Sequence, residues 1–458
     1  PYAYLLKRIF CSAQHRLSEG EEQLSALLDQ TSHTMWVDGG QKLLNERMIV
    51  WKGKKIGVAQ AIAMQAKQSL KDRGLLNTKI NETLKAASGF SEIEMNAVVN
   101  HKKMLDEHRK FPKPYSATVL SYQNDDATVE NVVATVSKRF DICHRFYRLH
   151  AKLLGVKKTT VGDRGANIGT INKKLGFSEA IGLVGNAFAA VGPYYKNLLE
   201  QFAYDGQIDA YPKNGKHGGA YCSGSGKERT FLLLNHVDDI YSVGTLAHEM
   251  GHAIHTELSK QQPLRYQRYS IAAAEVASTF FEAIAADDIE KTLLPKERII
   301  FLHKRILDDM ATIFRQIACF NFELELHERI RKEGQLSREA IAQLLAQHLR
   351  SYLGDGVTVT DDDGYFFVYW SHIRNFFYVY SYAFGQIVSR ALFEKWKADK
   401  SYTKKIEQFL SAGGSMSPED IFKSVGIDVR DPKFFLVGLK AIEKDIDRLE
   451  KMVKQNWK

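Results

Sequence analysis

The chain has 458 residues, 44% hydrophobic and 26% charged, with 32 Gly and 9 Pro. That balance excludes a disordered tail, a collagen-like repeat and a small stapled scaffold, and the length accommodates two or three domains or one large helical one. The net charge of +9 carries no nucleic-acid signal, because the basic residues are interspersed with acids and form no tract.

Residues 1 to about 110 read as successive helices. Ser18 and Glu21 ahead of Leu24, Leu27 and Leu28 have the form of a capping box entering an apolar stripe, and Ser91 with Glu94 repeats the signature. Pro112 and Pro114 break the pattern, since proline lacks the N–H that a helix interior needs. A boundary is expected there, separating an N-terminal helical lobe, 1–115, from a second domain, 116–458. From about 128 to 205 the pattern is helical again, with YRLHAKLLG ending at a glycine stop. The stretch from Ile208 to His236 changes character, and GKHGGAYCSGSGKERTFLLLNH predicts two short strands around a glycine loop. Long helices follow at about 243–259 and 271–290, and Ser417-Pro418-Glu419-Asp420 is a well-formed helix start. The fold class expected is mainly α with a small β element.

Cys11, Cys143, Cys222 and Cys319 form no C-x-x-C pair, so neither a disulfide framework nor a cysteine-rich zinc knuckle is expected. No uncharged apolar run approaches the ~18–20 residues that cross a bilayer. A cytoplasmic setting, with no membrane or nucleic-acid partner, is the expectation.

One motif carries chemistry, His248-Glu249-Met250-Gly251-His252. At ~100° per residue the two histidines stand one turn apart on one helix face, within reach of a single metal, and Glu249 can address a water on it. The flanking Leu246, Ala247, Met250, Ala253 and Ile254 make the helix apolar, so three ionisable groups inside it need partners. A catalytic zinc usually takes three protein ligands and keeps one position open. His255 lies seven residues past His248, about 10 Å along the axis, too far to share the ion, and is expected to pack or hydrogen-bond nearby. Glu275 and Glu282 lie on one face of the next helix among alanines and phenylalanines. Glu275 is expected as third ligand, with Glu282 orienting a ligand histidine through its other ring nitrogen.

The block TLAHEMGHAIHTELSKQQPLRYQRYSIAAAEVASTFFEA resembles the active-site region of the oligoendopeptidase F branch of the thimet-oligopeptidase-like zinc peptidases, family M3. HRFYRLHAKLLG, GGAYCSG followed by LLLNH, and WSHIRNFFYVYSYAFG extend the resemblance over about 120 to 430. It implies a multihelical, zincin-like body split by a deep substrate channel, one Zn²⁺ held by His248, His252 and Glu275, and Glu249 as general base. It also implies that His372, Tyr378 and Tyr380, with Tyr382 as a further candidate, bind the scissile peptide and stabilise the oxyanion. Gly218, Gly219, Ala220, Tyr221 and the strand toward Asn235 are implied to line the cleft, where an edge strand can pair with an extended peptide. Relatives carry an additional N-terminal region, so the chain is expected to be shortened at that end. GSGKE is no phosphate loop, with Tyr221 and Glu228 where glycine and Ser/Thr are needed, and DDDG at 361–364 is no calcium loop.

These readings converge on a zinc metalloendopeptidase acting on short oligopeptides. The alternatives are a zinc carboxydipeptidase of related helical type and a catalytically silent peptide-binding homologue.

Overall fold

The computed structural model describes residues 2–224 and 226–457. Ser18 caps the helix Glu19–Asp29 with the expected reciprocal box to Glu21, and the chain continues through a π turn into the helix Met35–Asn45. The expected run of helices is then interrupted. Met48–Trp51 and Lys54–Gly57 form an antiparallel hairpin, Trp51 opposite Lys54, around a turn in which Lys52 and Gly53 have φ of 49° and 80°. Two positive φ values match the right-handed twist of the paired strands, and a Lys-Gly turn between β-branched and aromatic residues was the available signal.

The helix Leu70–His108 is 39 residues long, capped by Ser69. Ser91 and Glu94 do not start a helix as expected, because both are buried within this one. Glu94 is spent elsewhere: its carboxylate takes two hydrogen bonds from the Arg374 guanidinium, at 2.7 and 2.8 Å, and both side chains are buried. The helix ends just ahead of the Pro112–Pro114 segment, with Lys110 at φ 60° reversing the chain. Further along it, Asn77 and Asn81 donate to Asp363, and Asn96 is bonded to Leu336. The long helix is thereby fastened to residues far downstream.

The glycine-rich stretch forms the predicted small sheet. Phe231–Leu233 pairs in parallel with Ile208–Asp209 and antiparallel with Tyr221–Ser223, Cys222 standing opposite Leu232, so Tyr221–Ser223 is an edge strand. Behind it the helices Ile240–Ser259 and Ile271–Lys291 lie at the expected positions, capped by Asp239 and Ser270. The helix Tyr380–Ala398 packs against the second of these, and the final helix Pro432–Asn456 covers it with Phe435, Leu439, Ile442 and Ile446. Among the described residues no helix is long and apolar enough to cross a membrane, and the four cysteines are free.

Candidate metal centre and cleft

Leu246, Ala247, Met250, Ala253 and Ile254 are all fully buried, which turns the opposite face of Ile240–Ser259 toward a cleft. His248 and His252 share that face. Their Nε2 atoms lie 3.6 and 3.9 Å from the same Oε2 of Glu275, and the three ligand atoms all fall within 4.8 Å of one another. Bonds of ~2.0–2.1 Å in a tetrahedral site set neighbouring ligand atoms ~3.3–3.4 Å apart. Two imidazoles and a carboxylate at this spacing fit a divalent metal with little movement.

Glycines let the two helices come this close. A Cβ on Gly251 would stand 2.7 Å from the Cα of Ser278, one turn from Glu275. On the other side of Glu275, a Cβ on Gly385 would meet its Cβ at 2.9 Å, so the helix Tyr380–Ala398 also runs directly against the glutamate. Sequence reading singled out neither glycine, since the neighbour that makes each one necessary lies on another helix.

Around the triad the remaining groups orient it. Glu282 Oε2 lies 2.9 Å from His248 Nδ1, which donates to it and so leaves Nε2 as the lone-pair nitrogen facing Glu275. Burial opposes the charged form of His248, but the Glu282 hydrogen bond and the carboxylates of Glu282, Glu275 and Glu249 together carry its pKa above the usual value. His252, half-buried and beside His248, is driven down to about 4 by desolvation and the neighbouring imidazole. Glu249 is 7% exposed, and its carboxyl lies beside the backbone of Cys222 in the edge strand. Burial, reinforced by Glu275 and Glu282 and opposed by His248, raises its pKa, which favours a group that must take up a proton. His255 does not face the triad: it is buried flat against Tyr269, ring centroids 3.5 Å apart, and burial lowers its pKa to about 3. The Tyr269 hydroxyl in turn lies 3.0 Å from Thr256 Oγ1, which ties the connecting loop to the histidine helix.

A cavity of about 620 Å³ holds His248, Glu249 and Glu282 together with Gly219, Ala220 and Asn235. Asn235 Nδ2 donates to the carbonyls of His217 and Gly219, at 2.9 and 2.7 Å, and so pins the glycine loop. Gly218 sits in that loop and the exposed Tyr221 opens the edge strand. The far end of the cavity is made by Tyr241 and the ion-paired Lys304 and Asp308. In the sequence that pair reads only as an i,i+4 surface salt bridge.

The aromatic segment divides differently from expectation. His372 Nδ1 is hydrogen-bonded to the Tyr378 phenol, and the Tyr382 ring is tilted against both, its centroid 6.0 Å from His372 and 5.7 Å from Tyr378, all three half-buried. Tyr380 is not with them. It is fully buried, its hydroxyl accepting from Asn124 Nδ2 at 2.9 Å and its ring near Phe320 and Tyr122. Tyr378 lies in the turn that leads into the helix Tyr380–Ala398, and Tyr382 in the first turn of that helix stands beside it, whereas Tyr380 enters the helix facing the core. Tyr382 also stands one turn before Gly385, the residue against Glu275.

Residues 188–441, more than half of the chain, match the model of Peptidase family M3. Oligopeptidase PepF of Bacillus subtilis is 25% identical over 472 residues, which cover 99% of this chain and 69% of the relative. Among solved structures, a chain from Chlamydophila abortus superposes with a TM-score of 0.91 at 23% identity, covering 99% of this chain and 78% of its own length. Oligoendopeptidase-F from Enterococcus faecium gives 0.79 at 18% identity, with 99% and 78% covered. The family match, on a helical fold that brings two histidines and a glutamate together beside Glu249, shows that the chain belongs to peptidase family M3, alongside its oligoendopeptidase F members, and is a metallopeptidase.

Proposed function

We propose that the chain is a zinc-dependent endopeptidase that cuts short oligopeptides, with one Zn²⁺ held by His248, His252 and Glu275. The observation that carries this reading is the convergence of both Nε2 atoms on one Glu275 oxygen with the Glu249 carboxyl on the adjacent residue. Zinc suits the two-imidazole, one-carboxylate donor set and, when bound, supplies a Lewis acid and an acidified water.

The chain's own residues supply the rest. Glu249 takes the proton of the attacking water as it adds to the scissile carbonyl, and delivers that proton to the leaving amine as the C–N bond breaks. Its raised pKa suits both halves of that exchange. Glu282 keeps His248 in the ligating tautomer. The hydrogen-bonded Tyr378–His372 pair, through the one proton that its mutual bond leaves free, and Tyr382, in place of Tyr380, donate hydrogen bonds to the oxyanion. The edge strand Tyr221–Ser223 and the loop Gly218–Ala220 align an extended peptide by main-chain pairing. In this reading the 1–115 lobe and the 116–458 catalytic part are joined by the Arg374–Glu94 pair. Cysteines that are free throughout support a reducing, cytoplasmic setting.

Digestion of peptides blocked at both ends, read by mass spectrometry with and without chelator, tests the reading. Internal cleavage that the chelator abolishes and added Zn²⁺ restores is expected. Release of C-terminal dipeptides alone from unblocked peptides would establish the carboxydipeptidase instead, and binding without cleavage the silent homologue.

A further inference from the structure

Glu323 lies in the helix Arg315–Glu333 and is fully buried. Its Oε1 accepts the backbone N–H of Phe377 at 2.9 Å, and its Oε2 has no hydrogen-bond partner. A buried carboxyl with one bond is an expensive way to fill space in a helix core. What it holds is unusual. Phe376 and Phe377 have φ of 51° and 60°, two successive bulky residues in the left-handed region that such side chains rarely enter.

Conformations of this kind persist only where the surroundings over-determine them. Here Thr118 Oγ1 donates to the Phe376 carbonyl at 2.9 Å. The Phe377 ring is fully buried among Tyr115, Phe320 and His327, at centroid distances of 6.0, 5.4 and 4.8 Å. On the upstream side Arg374 is locked to Glu94. The strained pair sits between His372 and Tyr378, and the residue leaving it is Tyr378 itself.

We propose that Glu323 is a positioning residue, which by holding the Phe377 N–H fixes the left-handed Phe376–Phe377 pair and so the placement of the Tyr378 phenol against His372. The inference rests on the reading that Tyr378 serves the reaction. Without an acceptor, the buried N–H of Phe377 is satisfied only if the segment leaves the left-handed region, which turns Tyr378 away from His372. Burial pushes the Glu323 carboxyl up to about 8, so near neutrality it is largely uncharged, and an amide of the same shape can replace it.

The experiment compares Glu323→Gln, Glu323→Leu and Tyr378→Phe, singly and with Tyr378→Phe combined with Glu323→Leu, in the metal-loaded full chain. Glu323→Gln, which keeps a neutral acceptor, is expected to stay within about threefold of wild-type kcat. Glu323→Leu is expected to lower kcat by about tenfold or more, with KM and bound-metal stoichiometry unchanged, and to add less than about twofold in the Tyr378→Phe background. Should Glu323→Leu not fold, Thr118→Val removes the second clamp at a partly exposed position and must show the same pattern, a fall in kcat of about threefold that vanishes in the Tyr378→Phe background. Losses that multiply with Tyr378→Phe, or an equal loss in Glu323→Gln and Glu323→Leu, overturn the inference while leaving Tyr378 in its role. Wild-type kcat in Tyr378→Phe overturns the role of Tyr378 and the inference with it.

Discussion

Gly251 lies against the backbone of Ser278 so closely that a Cβ on it would stand 2.7 Å from the Ser278 Cα. The contact sits between the histidine pair on one helix and Glu275 on the next, and it sets the helix separation that brings Glu275 Oε2 to 3.6 Å from His248 Nε2. Gly251→Ala therefore wedges the ligand set apart where no flexible side chain can yield. Overpacking of this kind costs ~1–3 kcal/mol. Metal affinity in a competitive chelator titration is expected to fall by about tenfold or more, with helical content by circular dichroism unchanged.

Glu249 neighbours the ligands without being one of them, so its removal separates chemistry from metal binding. Glu249→Gln is expected to retain a full complement of metal while kcat falls by ~10²–10⁴, the usual contribution of a positioned general base. Metal analysis and turnover on one blocked peptide, from the same preparation, check both halves. Metal lost in parallel with activity would instead make Glu249 part of the ligand set.

Glu282 acts on the metal only through His248. Its 2.9 Å hydrogen bond to Nδ1 selects the tautomer and the ring orientation, and loss of such an outer partner typically costs ~10–100-fold in metal affinity. Glu282→Leu is expected to show that loss, and Glu282→Gln, which keeps an amide oxygen as acceptor, a smaller one. Isothermal titration of the apo-protein with Zn²⁺ measures both.

The placement of Glu249, Glu275 and Glu282 around the two histidines was legible in the sequence for one physical reason: ionisable side chains embedded in apolar helices need a partner, and helical spacing shows which of them share a face. The same reasoning failed where the partner lies on a distant element. Glu94 reads as a helix-start residue but answers Arg374, 280 residues away. Glu323 looks like one more acid in FNFELELHER until the left-handed turn at Phe376–Phe377 is seen beside it. The hairpin at Met48–Gly57 was hidden within a run of helical patterns, although Lys52-Gly53 marks its turn.

The aromatic segment shows what side-chain direction adds to a resemblance. Matched by spacing along the chain, Tyr378 and Tyr380 are equivalent candidates; matched by direction, Tyr378 pairs with Tyr382. Tyr382→Phe is expected to reduce kcat by about tenfold with an unchanged thermal midpoint. Tyr380→Phe is expected to leave kcat within about twofold. It destabilises the fold by ~1–3 kcal/mol, because the buried Asn124 amide loses the hydroxyl to which it donates. Kinetics and thermal denaturation of the two variants, side by side, separate the roles.

Stability should also record the buried carboxyl of Glu323. Its pKa in the folded chain is pushed from an ordinary 4.5 up to about 8 by burial, against the opposing pull of the Phe377 N–H and Lys102. Below about pH 4.5 the group is protonated in both folded and unfolded chains and titrates in neither. Between about pH 4.5 and 8 the unfolded chain releases this proton and the folded chain keeps it, so the unfolded chain binds fewer protons and stability falls as pH rises. The slope from this one group is at most ~1.4 kcal/mol per pH unit, and it ends once the folded group ionises too. Glu323→Gln carries no such proton. Its thermal midpoint relative to wild type is therefore expected to climb steadily from about pH 5 to about pH 8. A constant difference over that range would mean that Glu323 is already ionised in the folded chain, held as a carboxylate by Lys102 and the Phe377 amide.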